Sequence, residues 1–419
     1  MKTYVLLLLM FPILSLSAQS YCTSGQYSEV GYFNPDEITI HTNVEYGRAE
    51  TFQGITIPLR MDIYMASTDV DTTIHRPLIV LIHGGGFLNG KKNNYATTAS
   101  LLAQAGYVVS SIDYRLGWDN GTSPCTGSLP SLLAAEYRAM QDAHAAVRYL
   151  IENQHLYHID TGAIFLGGSS AGSTTALQLA YYSPAEASTL SSTLGGLNES
   201  GNAFRHTFRV RGVLNECGGI GDTSFIKSDT PIPMIAFHGS ADRIVPIDTG
   251  RILDCYTPSR YHFIAGSRAI YHTLRNLGVC TELNVYPGGP HCAYSNDTLI
   301  AKRTACFFKG ILCHDCASLD QEGEVPASCA MVAKDYLIQQ DRGVKLYPNP
   351  ASERLTILLI GETETVAKYS ILSMSGRNQM QGILPDKQST IDVSGLAQGM
   401  YCLTIDMPGK TITTKLIKL

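Results

Sequence analysis

The stretch GGSSAG, residues 167–172, follows the apolar run AIFL (163–166) and precedes STTALQLAYY (173–182), which reads as helix. Gly168, Ser170 and Gly172 thus form G-x-S-x-G where a strand turns sharply into a helix. Glycine permits the close backbone approach that such a turn demands and leaves one hydroxyl exposed at its tip. Ser170 is therefore the candidate nucleophile. Ser169 is the rival, but the residue two places after it is Ala171 rather than glycine.

Working outward, three further segments supply the partners that an activated serine needs. HGGGF (83–87) ends the apolar run PLIVLI, and successive glycines can turn their N–H groups toward one point, as an oxyanion requires. Gly85 and Gly86, with the N–H of Ala171, are the expected donors. PMIAFHGSADRIVP (233–246) ends a strand and places Asp242 just beyond it; NVYPGGPHC (284–292) does the same for His291. The order Ser170, Asp242, His291 is nucleophile, acid, base. In that arrangement the serine attacks, the histidine carries its proton, and the aspartate fixes the imidazole tautomer. Asp248 and Glu216 remain alternatives for the acid, while His83 and His238 are expected to make structural hydrogen bonds. Trp118, in the loop GWDNGTSPC (117–125), is a candidate wall for the substrate pocket.

Short β-branched runs alternate with longer amphipathic stretches across the same region, the pattern of a mostly parallel sheet covered by helices. Strands are expected over 77–82, 107–112, 163–166, 210–214, 234–237 and 282–286, and helices over 131–153, 171–182, 266–278 and 297–312. GITIPLRMDIYMA, from Gly54, reads as an antiparallel edge. After residue 316 the chain becomes polar and aperiodic, which reads as a linker over 317–343. Short alternating strands from Val344 onward then indicate a small β-sandwich over 344–419. The fold class is α/β, followed by a small all-β domain.

The chain has 419 residues, a net charge of -5 and 16% charged residues. It carries no basic footprint of the kind that nucleic acid or anionic lipid attracts. MKTYVLLLLMFPILSLSA (1–18) has the layout of a secretory signal peptide, with cleavage expected before Gln19, leaving a catalytic domain over 19–316 and no integral membrane segment in the mature chain. Eleven cysteines in an exported chain read as disulfides, with one left over. CHDC (313–316) could ligate metal, but a second ligand pair at regular spacing is missing, so no metal or other cofactor is expected. Cys217, Cys255 and Cys292 belong to the side of the sheet that carries the motifs, and Cys280, Cys306, Cys313 and Cys316 to the opposite side. Bridges are expected within each group and not between them.

Taken together, HGGGF, SIDYRLG, GGSSAG, HGSADRIVP and GGPH make residues 45–312 resemble α/β-hydrolase esterases of the carboxylesterase and hormone-sensitive-lipase-like type. That resemblance implies a secreted serine hydrolase acting on carboxylic esters. A polysaccharide-directed acetyl or feruloyl esterase, a peptidase of the same fold and a non-catalytic binding protein stand as alternatives. The segment between the nucleophile helix and Val210 is too short for a large lid. KLYPNPASERLTI, SGLAQGMYCLTI and the closing TKLIKL make residues 344–419 resemble the C-terminal sorting domain of the type IX secretion system found in Bacteroidetes. The implied partners are an ester substrate and that secretion machinery, with the protein secreted or held at the cell surface.

Overall fold

A computed structural model describes residues 21–22, 24–123, 125–255, 261–326, 329, 344–347, 349, 351–359, 367–373, 378–407 and 410–418. The expected signal peptide lies outside the described residues. Two units are distinguished, residues 1–330 and 331–419.

The first unit is built on the strands β1 (Ile38–Glu50), β2 (Thr56–Ala66), β3 (Arg76–Ile82), β4 (Val108–Ile112), β5 (Ile159–Ser169) and β6 (Val210–Glu216). It continues through β7 (Gly219–Ile220), β8 (Met234–Gly239), β9 (Thr249–Arg251), β10 (Phe263–Gly266), β11 (Thr281–Tyr286) and β12 (Leu319–Glu322). Nine of these form one sheet in the order β1-β2-β4-β3-β5-β6-β8-β11-β12, while β7, β10 and β9 form a small separate sheet. The large sheet is parallel from β4 to β12, and β1 and β2 add an antiparallel edge. All seven residues of β3 are buried, as expected of a central parallel strand covered on both faces.

Among the described residues, seven α-helices accompany the sheet: α1 (Ala96–Gln104), α2 (Leu129–Glu152), α3 (Gln154–Tyr157), α4 (Ala171–Tyr181), α5 (Pro184–Ser188), α6 (Ser267–Asn276) and α7 (Asp297–Leu312). Apolar residues of α2, α4 and α6 form the core on one face with Leu78, Val80 and Leu166. Those of α1 and α7 form the core on the other face with Ile79, Leu81 and Phe165. The alternating residues of β3 and β5 thus feed opposite cores, the two-residue period of a strand.

Besides the short elements α3, α5, β7, β9 and β10, three elements depart from the sequence expectations. The edge includes β1, thirteen residues long with only two of them buried, so it lacks an apolar signature. The helix α1 was not anticipated; its residues ATTASLLAQ are mostly small, and small side chains suffice where it packs between β4 and α7. The strand β12 lies inside the stretch read as linker and pairs in parallel with β11, because an edge strand needs backbone partners rather than an apolar sequence.

Two disulfides, Cys217–Cys292 and Cys280–Cys316, fall within the expected groups, and none joins the groups. Three others, Cys22–Cys313, Cys125–Cys255 and Cys306–Cys329, each join a member of one group to a cysteine outside both, so pairing within the groups does not hold for Cys255, Cys306 and Cys313. The N-terminal segment folds back on α7, with Lys309 Nζ donating to Ser28 Oγ at 3.2 Å, and this brings Cys22 to Cys313. Cys313 and Cys316 are thereby consumed, so CHDC offers no thiolate pair to a metal. Cys402 is the cysteine left over.

The second unit contains β13 (Val344–Tyr347), β14 (Arg354–Leu359), β15 (Ala367–Ser373), β16 (Asn378–Leu384), β17 (Gln388–Asp392), β18 (Gly399–Met407) and β19 (Lys410–Lys418). They form antiparallel sheets β13-β14-β17 and β16-β15-β18-β19 around a core that includes Leu355, Ile357, Ile371, Leu403, Ile405 and Leu416.

Candidate active site

β5 ends at Ser169 and α4 begins at Ala171, so Ser170 carries the whole turn, with φ 52° and ψ -118°. A side chain with positive φ is uncommon, and at a strand-to-helix turn it aims the hydroxyl away from the backbone. A Cβ on Gly168 would lie 2.4 Å from the carbonyl carbon of Gly172, and one on Gly172 would lie 2.0 Å from the Ile82 oxygen. Both glycines are therefore required by space. The turn is held by Ser170 N–H donating to the Glu216 carbonyl at 2.7 Å and by Ser173 Oγ donating to the Gly168 carbonyl at 2.6 Å.

The structure brings Ser170, His291 and Asp242 together. Ser170 Oγ lies 2.8 Å from His291 Nε2, and His291 Nδ1 lies 2.7 Å from Asp242 Oδ2. The Asp242 Oδ1 atom accepts from the backbone N–H groups of Ile244 at 2.8 Å and Val245 at 3.0 Å. A further residue, not anticipated in this role, reaches the same carboxylate: His238 Nε2 is 3.1 Å from Asp242 Oδ2. His238 is fully buried, and its Nδ1 lies 2.7 Å from Ser267 Oγ, which in turn accepts from Asn215 Nδ2 at 2.9 Å. One assignment of protons satisfies the whole chain: Asn215 donates to Ser267, Ser267 donates to His238 Nδ1, and the Nε2–H of His238 is shared between the Val245 carbonyl at 2.9 Å and Asp242 Oδ2. Burial by itself would raise the Asp242 carboxyl, but the hydrogen bonds from His238 and His291 outweigh it and hold the group well below the usual carboxylate range.

The rival acids have other partners. Asp248 pairs with Arg268 at 2.8 Å on the surface, and the Glu216 carboxylate accepts from Tyr95 Oη at 2.8 Å. Ser169 Oγ approaches Cys292 Sγ at 3.5 Å.

Gly86 and Ala171 line one cleft with Ser170, beside Phe87, Trp118 and Leu132. Gly85 has φ 112°, and its carbonyl accepts from the N–H groups of Leu88 at 3.0 Å and Asn89 at 3.1 Å, closing the loop behind Gly86. Trp118 Nε1 donates to the Gly86 carbonyl at 2.9 Å, which fixes the orientation of that peptide. The imidazole of His83 stacks on Tyr114 with ring centroids 4.3 Å apart, and Tyr114 Oη donates to the His83 carbonyl.

The Cys217–Cys292 disulfide joins the residue after β6 to the residue after His291, with Cα atoms 5.1 Å apart. Both sulfurs are used, so their clustering with His291 offers no thiolate to a metal. The bridge limits the freedom of the loop that carries the imidazole. The double variant Cys217→Ala/Cys292→Ala is expected to lower kcat about 10- to 100-fold, since a misplacement near 1 Å costs that much, and to lower unfolding free energy by roughly 2–4 kcal/mol. Steady-state kinetics with a short-chain ester, alongside denaturant unfolding, checks both; an unchanged kcat would show that the loop holds His291 unaided.

Burial raises the Glu216 carboxyl to about 7, with the Tyr95 hydrogen bond opposing and Asp297 adding to the rise. Because the group keeps its proton when folded and loses it when unfolded, stability falls as pH rises from the ordinary glutamate range to about 7. The loss is at most on the order of 3 kcal/mol. Glu216→Gln keeps an acceptor for Tyr95 and should remove most of the drop in Tm between about pH 5 and about pH 8. Equal pH dependence of Tm in the two proteins would contradict this.

Residues 61–227 match the family BD-FAE, and residues 345–419 match the family described as the secretion system C-terminal sorting domain. Esterase LipI of Mycobacterium tuberculosis is 32% identical over 124 residues, covering 29% of this chain and 34% of that protein. Probable carboxylesterase 6 of Arabidopsis thaliana is 32% identical over 126 residues, covering 28% and 33%. A non-reducing polyketide synthase of Penicillium brevicompactum is 31% identical over 166 residues, covering 38% and 6%. The chain thus spans about a third or less of the length of these curated relatives. Among solved structures, a truncated form of a carbohydrate esterase from gut microbiota is 21% identical, with a TM-score of 0.44 over 69% of this chain and 99% of that one. An esterase of Thermogutta terrifontis is 17% identical, with a TM-score of 0.42 over 65% and 92%. The sorting-domain match marks the chain for delivery by the type IX system to the cell surface or beyond. No helix among the described residues is long and apolar enough to cross a membrane. The chain thus joins an α/β unit, whose residues 61–227 match an esterase-type family, to a unit whose residues 345–419 match a secretion-sorting domain.

Proposed function

We propose that the first unit hydrolyses carboxylic esters through an acyl-enzyme on Ser170. The carrying observation is the unbroken contact from Ser170 Oγ to His291 Nε2 at 2.8 Å and from His291 Nδ1 to Asp242 Oδ2 at 2.7 Å. His291 accepts the serine proton as Ser170 Oγ bonds to the ester carbonyl carbon, then returns it to the departing alkoxide. Asp242 keeps the proton on Nδ1, so that Nε2 faces the serine as a base, and balances the charge of the imidazolium. Water then attacks the acyl carbon as His291 takes its proton, the bond to Ser170 Oγ breaks, and His291 returns the proton to that oxygen as the acid leaves. N–H groups of Gly86 and Ala171, at the edge of the cleft that holds Ser170, receive the developing oxyanion, and Gly85 shapes the loop.

No cofactor takes part in this scheme. The C-terminal unit hands the chain to the secretion machinery and contributes no group to the chemistry. The purified protein is expected to hydrolyse p-nitrophenyl acetate and butyrate and to leave an aminoacyl p-nitroanilide intact. Turnover of the anilide alone would favour a peptidase, and turnover of neither would leave a binding protein.

A further inference from the structure

The cleft beside Ser170 is walled by apolar side chains, among them Phe87, Trp118, Leu132, Ile252, Leu253 and Ile264. Such walls suit a hydrocarbon stem or the apolar face of a ring. Besides the hydroxyls of Ser170 and Thr174, two ionisable residues break the pattern. Glu136, on the inner side of α2, is 4% exposed, and His262 lies just before β10.

Neither group is explained by the esterase chemistry. One oxygen of Glu136 accepts from Gln178 Nε2 at 2.7 Å. Burial raises the carboxyl; His262 and the Gln178 hydrogen bond act in the other direction, and neither a lysine nor an arginine is among the groups that act on it. The His262 Nδ1 atom is buried and has no hydrogen-bond partner among the described residues. A buried polar atom without a partner forfeits on the order of 1–3 kcal/mol, so His262 Nδ1, in an apolar cleft it shares with the buried Glu136 carboxyl, points to a ligand that completes it. Helix α2 does not require an acid here, since alanine or leucine would pack against α4 without the desolvation.

The chemistry of the pair selects the ligand. A hydroxyl both donates and accepts, so it can satisfy a carboxyl and an imidazole nitrogen in either protonation state or tautomer of each. A carbonyl or ether oxygen can only accept and leaves an ionised Glu136 unanswered. A carboxylate would meet like charge, and an ammonium would lose its hydration against apolar walls for a carboxyl that burial pushes toward neutrality.

We infer that Glu136 and His262 form a subsite for a hydroxyl group carried by the ester substrate on an otherwise apolar moiety. This deepens the esterase reading and rests on it. The hydroxyl belongs to the acyl group or to the leaving alcohol, and the two sources can be separated by assay.

The test compares kcat/KM for matched esters with the full chain. The acyl arm sets methyl β-hydroxybutyrate against methyl butyrate; the alcohol arm sets propylene glycol monoacetate against propyl acetate. In one arm the hydroxylated ester is expected to be favoured at least about 30-fold, because a site built to bond a hydroxyl discriminates strongly against the analogue lacking it. Glu136→Leu and, independently, His262→Phe should bring that ratio near one, and Glu136→Gln should retain part of it. No preference in either arm of the wild-type protein overturns the inference while leaving the esterase reading intact. Variants that unfold more readily but keep the ratio also overturn it, and show a clamp between α2 and the segment before β10. Failure to hydrolyse any of the four esters removes the esterase reading itself, and the inference with it.

Discussion

Replacing Ser170 by alanine is expected to lower kcat for a short-chain ester by a factor on the order of 10⁵–10⁶, whereas Ser169→Ala stays within about 2-fold of the parent. The two serines are adjacent in sequence but differ in every relevant contact. Ser170 occupies the left-handed turn with its hydroxyl 2.8 Å from His291 Nε2, while Ser169 is the last residue of β5 and its hydroxyl meets Cys292 Sγ at 3.5 Å. Removing a nucleophile leaves only binding and oxyanion stabilisation, which sets the residual rate. Alanine at 170 also keeps a Cβ at the turn, so the fold of the elbow is preserved and a loss of rate reads as chemistry. A dead Ser169→Ala beside an active Ser170→Ala would move the nucleophile by one residue and undo the whole arrangement.

Asp242→Asn carries the second large effect, a fall in kcat of about 10⁴-fold. The carboxylate accepts from His291, His238 and the N–H groups of Ile244 and Val245. An amide has one acceptor oxygen for these donors, and its N–H₂ must face an N–H or force a tautomer change on an imidazole. If the amide nitrogen faces His291 Nδ1, the proton moves to Nε2 and the ring no longer accepts from Ser170. Because the hydrogen bonds hold Asp242 below the usual carboxylate range, it stays ionised until pH falls through that depressed value. Activity lost on moderate acidification is therefore not owed to Asp242, and the variant should be impaired throughout the range between about pH 5 and about pH 9. Steady-state kcat across that range checks the claim; a loss of less than about 10-fold would make Asp242 dispensable to the orientation of His291.

The difference between these two sites and the rest of the molecule explains how far the sequence could be read. Central strands such as β3 are legible because burial on both faces demands an unbroken apolar run, and the elbow is legible because space permits only glycine at 168 and 172. β1 and β12 escape notice because they pair at the edges of the sheet, where backbone hydrogen bonding is sufficient and polar residues are tolerated. His238 is visible in the sequence as part of HGSAD, yet its contact with Asp242 depends on the turn after β8, which brings residues four apart back together. Glu136 is harder still. It lies within an amphipathic helix where a glutamate ordinarily faces water, and only the packing of α2 against α4 turns it inward to the cleft. Cys22 and Cys125 lie outside the strands and α-helices, so their partners follow from how the chain folds back and not from any spacing.

The claim that Ser170 is the nucleophile is tested most directly by covalent trapping. The purified protein is treated with a fluorophosphonate, and the adduct is located by mass spectrometry of its peptides. One phosphonyl group per chain on Ser170, absent from Ser170→Ala and slowed in Asp242→Asn, is the predicted result. An adduct on Ser169 or another residue, or an unlabelled protein that still hydrolyses esters, would contradict it.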